Sequence, residues 1–217
     1  MEAPMKKRIL LLSAVIISAI AFTACSKKDT ADNYVTEQND IMNKMQEEMD
    51  KVQDTGNATL DFLYGMIPHH ESAVEMSKSY LKYAKEKKDP AFKEMAEEII
   101  KTQEEEIEEM KEMAKAIETD KELDYEDEQS YLKEYHSMMK DHDMSHNMVT
   151  SDVDTAFAEG MMVHHQMAVD MAESILKYTN NEEVIELAKN IVETQNEEIA
   201  EMQSFLDEHA DNKNHSH

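Results

Sequence analysis

"DFLYGMIPHHESAVEM", residues 61–76, is answered further along the chain by "TAFAEGMMVHHQMAVDM", residues 155–171. Setting Gly65 on Gly160 lays Met66 on Met161, His69 on His164, His70 on His165, Ala73 on Ala168, Val74 on Val169 and Met76 on Met171. "LKY" at 81–83 then meets "LKY" at 176–178, and after a turn three residues shorter "TQEEEIEEM" at 102–110 meets "TQNEEIAEM" at 194–202. The chain is an internal duplication. Apolar residues recur at spacings of three and four in both copies, the signature of amphipathic helices. In the first copy "KKDP" at 87–90 marks a turn between two such helices, and helices joined so closely lie antiparallel. Each hairpin is too thin to cover its own apolar face. The fold class is therefore all-α: two duplicated helical hairpins packed as a bundle, with extra flanking helices.

Outward from the repeats, the first flanking helix is expected near 34–52, with Val35, Ile41, Met42, Met45, Met49 and Val52 on one stripe. "DTGN" at 54–57 interrupts it, and a second flanking helix is expected near 126–142. Ahead of them, Lys6, Lys7 and Arg8 precede an apolar run from Ile9 to Phe22 that ends in "FTAC" at the single cysteine, Cys25. That run is short for a bilayer span and reads as a secretory signal. "FTAC" resembles a bacterial lipobox, which implies cleavage before Cys25 and lipidation of its sulfur. The expected organisation is a signal peptide over 1–24, a lipidated end and tether over 25–33 and a first helical repeat over 34–118. A Met/His-rich linker with a short helix over 119–151, a second repeat over 152–209 and a His-containing tail over 210–217 follow. Such a protein is extracytoplasmic, held by lipid to a bacterial cell or outer membrane, and with Cys25 so used it has no disulfide.

Composition narrows the function. There are 48 acidic residues against 22 basic ones, a net charge of −26, with 3 Gly, 3 Pro and no Trp. Nucleic acid is a poor partner for such a chain, because phosphate contacts need Lys and Arg in excess. Most of the acidity is a solvated surface, and its field attracts cations mildly. No nucleophile, general-base pair or phosphate loop stands out, so no enzyme is expected.

The doubled motif carries the chemistry. At about 100° per residue, Met161, His164, His165, Ala168 and Met171 fall on one core-facing stripe, as do Met66, His69, His70, Ala73 and Met76. On the partner helices Gln103 and Gln195 interrupt apolar seams, with Glu106 and Glu198 one turn on and Met110 and Met202 on the same side. A buried polar residue needs a partner, and an ion or a histidine ring nitrogen supplies one. A histidine on an apolar face is commonly a satisfied core residue, and methionine is an ordinary core filler. Against that stand the repetition of the pair and 19 methionines in 217 residues. Thioether with imidazole suits a soft or borderline ion, Cu(I) before Cu(II), rather than Mg or Ca. Di-iron bundles use Glu-x-x-His, and that spacing occurs nowhere here, since Met66, Ile67, Met161 and Met162 stand three residues before the four histidines. Zinc remains open through the histidines alone.

Three lesser signals remain. "HSMMKDHDMSHNM", 136–148, is Met/His-rich, as short metal-binding tracts are and as a polar linker also can be. The tail adds His209, His215 and His217. Pro68 falls inside a helix, removing one hydrogen bond and crowding the carbonyl of Tyr64, while Val163 takes its place in the second copy.

At these residues the chain resembles the domain of unknown function 305 family, whose signature pairs Met-x-x-His-His-x-x-Ala-x-x-Met with Gln-x-x-Glu-Ile-x-x-Met on the following helix. The resemblance covers about 61–113 and 155–206, with Ser72 and Met167 standing where a small Gly is common. It implies a ferritin-like bundle and extracytoplasmic copper binding linked to copper resistance. By position it points to Met66, His69, His70 and Met76, and to Met161, His164, His165 and Met171. Residues and resemblance together give a copper-binding lipoprotein that sequesters copper or passes it to a transfer partner. The rival readings are a ferritin-like metal oxidase and a structural lipoprotein without metal.

Overall fold

A computed structural model of the chain describes residues 18–51, 54–120, 125–141 and 152–214, with side chains over 30–51, 54–119, 128–140 and 152–210. The described residues form six helices: α1 (Ser18–Met49), α2 (Ala58–Ala84), α3 (Lys93–Asp120), α4 (Tyr125–Asp141), α5 (Val153–Ile175) and α6 (Glu182–Asn214). The two hairpins are α2 with α3 and α5 with α6, and α2 also packs on α5, so these two form the centre of the molecule. Helices α1 and α4 each lie against both of them. None of the described helices is long and apolar enough to cross a membrane.

The duplication reaches the caps. Asn57 accepts from the backbone N–H of Leu60 at 3.1 Å and starts α2. Asp152, its counterpart, accepts from Thr155 N–H at 3.1 Å and starts α5. Each satisfies one donor that a helix start otherwise leaves open. Before Asn57 the chain turns through Gly56 at φ 84°, a left-handed conformation that a side chain disfavours. Pro68 lies inside α2 without ending it.

α2 and α5 run antiparallel. Thr59 bonds Thr179, just past the end of α5, at 2.8 Å, His69 meets His164, and Tyr80 bonds Asp154 at 2.7 Å, so partners descend as α2 ascends. The crossing falls at the doubled histidines. Around it the core is built from Met45, Met66, Met76, Met110, Met161, Met171 and Met202 with Tyr34, Tyr80, Tyr131, Phe62 and Phe157, all buried.

The N-terminal side departs from the sequence expectation. The backbone over 26–33, expected as a tether, is helical and continuous with the rest of α1, and Ala31 and Tyr34 are fully buried. "SKKDTADN" is polar but holds no Gly or Pro to stop a helix, and the apolar contacts of the two buried residues outweigh its modest propensity. Residues 1–17 and the Cys25 side chain, on which the signal and lipidation rest, lie outside the described residues. So do 142–151 and 215–217, which take in most of the Met/His tract and the end of the tail.

Candidate metal centre

His69, His70, His164 and His165 are all fully buried, and they form one row across the crossing. The His70 and His69 ring centroids are 6.2 Å apart, His69 and His164 3.8 Å, and His164 and His165 5.9 Å. At the centre the two copies clasp each other. His69 Nε2 lies 3.1 Å from the His164 carbonyl oxygen, and His164 Nε2 lies 3.1 Å from the His69 carbonyl oxygen. At the ends, Glu106 of α3 takes His70 Nε2 at 2.9 Å, and Glu198 of α6 lies 2.8 Å from His165 Nε2. The second approach is off the line a hydrogen bond needs. At that separation a small ring rotation closes the bond, so the distance decides and both copies share one pairing.

These contacts fix the tautomers. A carbonyl or carboxylate oxygen only accepts, so each Nε2 facing one carries the proton and each Nδ1 of a neutral ring is left with a bare lone pair. All four Nδ1 atoms are buried without a hydrogen-bond partner. Leaving a buried acceptor unpaired costs about 1–3 kcal/mol. Burial, with smaller contributions from the neighbouring histidines, holds His69 and His164 well below the usual imidazole range, so at neutral pH both rings are uncharged. A neutral imidazole with a free nitrogen and its other N–H tied to an oxygen is the form in which histidine ligates a metal.

The ten residues selected from the sequence are all fully buried: the four histidines with Met66, Met76, Met110, Met161, Met171 and Met202. The Met171 methyl packs against α2 at Gly65, where an added Cβ would lie 3.4 Å from it, and Tyr135 of α4 closes the same spot at 3.3 Å. Among the described residues, no three His, Cys, Asp or Glu side chains gather closely enough to hold an ion. The thioethers of six methionines are buried in the same core, and a site that drew on them would suit a soft ion.

Gln103 and Gln195, for which an ion or a histidine nitrogen was the expected partner, are buried with their carbonyl oxygens unpaired, while the rings are met by Glu106 and Glu198. The rotation of the outer helices brings the carboxylates, one turn on, into reach. Two neighbours of the row escaped the sequence reading. The Ser72 hydroxyl lies 2.7 Å from His164 Nε2 and 2.6 Å from the His69 carbonyl oxygen. It also lies 2.9 Å from the sulfur of Met45, brought in by α1. The departure from Gly at position 72 was the available signal; for Met45, core spacing gave no hint of a polar neighbour.

Fold and site together define a duplicated all-α bundle with a buried imidazole row at its internal two-fold crossing. The chain belongs to the family described as domain of unknown function (DUF305), whose model matches residues 21–114 and 59–206. Two solved structures share the fold. CopM in the Ag-bound form matches with a TM-score of 0.51 and 26% identity over 69% of this chain and 95% of that one. CopM in the Cu(I)-bound form matches with a TM-score of 0.51 and 25% identity over 69% and 96%. A curated relative, uncharacterized protein L153 of Acanthamoeba polyphaga mimivirus, is 40% identical over 55 residues, 25% of this chain; the match spans 36% of the relative's length.

Proposed function

We propose that this protein binds Cu(I) at the α2–α5 crossing and serves to sequester it or hand it on outside the cytoplasm. The observation that carries the reading is the row of four buried imidazoles whose Nδ1 lone pairs have no partner in a core rich in buried thioethers. CopM, similar in fold and at 25–26% identity, has been solved with Cu(I) and with Ag, the two ions such donors prefer. Binding is by reversible coordination without catalysis. Thioether donors are neutral and flexible, so the bound ion exchanges to a partner that offers stronger ligands.

Lipidation at Cys25, and with it a membrane-held position, is part of the same proposal; its support is the "FTAC" stretch behind a short apolar run. Mass spectrometry of the mature protein tests it: a diacylated or triacylated Cys25 at the N-terminus is expected, and an unmodified Cys25 removes it. For the metal, the test is an anaerobic Cu(I) titration against a chromogenic competitor. The full chain is expected to strip the competitor, and the variant with His69, His70, His164 and His165 all changed to Ala is expected to lose tight binding. Retained affinity in that variant contradicts the site.

A further inference from the structure

The imidazole row is closed on all sides, yet on the first copy the surface dips toward it. A groove between α1 and α2 is lined by Glu48, Glu71 and Glu75, by Lys44, and by Met45 and Ser72. Met45 is 2% exposed and Ser72 5%, so these two form its inner end. There the Ser72 hydroxyl spans 2.9 Å to the Met45 sulfur and 2.7 Å to His164 Nε2. A path of thioether, hydroxyl and imidazole thus joins the groove to the centre of the row. Three carboxylates rim it against one ammonium. Lys44 bonds Glu75 at 2.9 Å, but both are about half exposed, and such a pair holds with little energy. It does not seal the groove.

Among the described residues, the second copy differs at the positions that match the groove. Position 72 is answered by Met167, fully buried and filling the space, and Glu71 and Glu75 are answered by Gln166 and Asp170, which bond each other at 2.8 Å. Val163 stands for Pro68, which lines the groove on the first copy.

We infer that the groove beside Met45 is the entrance through which a soft monovalent cation reaches the imidazole row, with Met45 as its first sulfur ligand and the carboxylate rim concentrating the ion. This rests on the proposed Cu(I) site and assigns the route to one copy only. An acidic, partly enclosed cleft raises the local cation concentration and the association rate. Thioether is the donor to receive the ion there, since a carboxylate holds Cu(I) poorly.

The test is stopped-flow uptake of Cu(I) from its bicinchoninate complex by excess full-length protein under anaerobic conditions. Three variants are compared: Met45→Leu, which conserves volume; Glu71→Gln with Glu75→Gln; and Asp170→Asn on the second copy. Met45→Leu is expected to slow uptake several-fold with the final amount of bound Cu(I) unchanged. The double Gln variant is expected to slow it about tenfold at low salt, with the difference shrinking as salt is raised, and Asp170→Asn is expected to load like the parent. Equal rates for Met45→Leu and the parent overturn the entrance, as does a loss of bound Cu(I) in Met45→Leu, which would make Met45 part of the resting site. Equal slowing by Asp170→Asn overturns the one-sided route. A parent chain that takes up no Cu(I) refutes the site itself, an outcome distinct from unchanged rates.

Discussion

In the first copy position 72 is a serine that touches both the opposite histidine and a sulfur from α1, whereas in the second copy the same position is Met167, sealed in the core. Pro68 and Val163 differ likewise, as do Glu71 and Glu75 against Gln166 and Asp170, which bond each other. Position 72 apart, the copies keep the same histidines facing inward, the same carboxylate at each end and the same six site methionines. The inner face is constrained twice over, because each copy supplies the carbonyl that its partner's ring requires. The outer face answers only to its own surroundings and has been free to differentiate.

The strongest way to break this comparison is to remove one copy's histidines at a time. His69→Ala with His70→Ala, and separately His164→Ala with His165→Ala, are expected to weaken Cu(I) binding equally. The loss is expected to exceed the roughly 10–100-fold that follows from deleting an outer hydrogen-bond partner. A loss confined to one pair, read by the competition titration, would mean that only one copy holds metal. Next in size come Glu106→Gln and Glu198→Gln, each expected to cost about 10–100-fold in affinity. The off-line contact at His165 makes Glu198→Gln the sharper check: a silent variant would show that the second carboxylate is not a true counterpart of the first.

A smaller effect concerns pH and the metal-free protein. His69 and His164 lie well below their ordinary value when folded. On acidification the unfolded chain takes up these protons first, so their contribution is present at neutral pH and is lost as pH falls below about 6.5. Urea melts of the metal-free chain between pH 7.5 and 5 check the sign, and the variant lacking both central rings is expected to flatten the curve.

The smallest effect compares two buried carboxyls at opposite ends of the α2–α5 pair. Asp154 is met by the Tyr80 hydroxyl at 2.7 Å and by Lys87 Nζ at 2.5 Å. At the other end Glu128 of α4 accepts from Gly56 N–H, with Asp61 and Asp54 as its acidic neighbours. Burial first, then those carboxyls, push Glu128 up to about 7, and burial raises Asp61 too. A raised folded value means the native state keeps a proton that the unfolded chain has already released. Glu128's contribution is therefore full below about 4.5 and lost as pH rises through about 7. Glu128→Gln is expected to raise Tm by a few degrees at pH 8 and to change little at pH 5.

Much of this was legible in the chain because a repeat and a 3.6-residue period are local properties. The helices, the duplication and the burial of the histidine and methionine stripe all follow from spacing alone. Three things did not. The pairing of α2 with α5 through His69 and His164 depends on how two distant hairpins dock, and a repeat is equally compatible with two separate sites. Whether Gln103 or Glu106 reaches a ring depends on the rotation of α3, and one turn of a helix is too fine a distinction for periodicity. The Ser72–Met45 contact needs α1 in place, and a polar N-terminal stretch gave no sign that its helix continues upstream.

The central claim is that each buried ring keeps its proton on Nε2 and offers Nδ1 to a soft ion. Nitrogen NMR of the full chain labelled with 15N-histidine, before and after Ag(I), measures this directly. The expected result is four rings protonated at Nε2 whose Nδ1 resonances move on adding Ag(I) while the Nε2 resonances stay protonated. Rings protonated at Nδ1, or Nδ1 resonances that ignore the metal while the exposed histidines respond, would contradict the account.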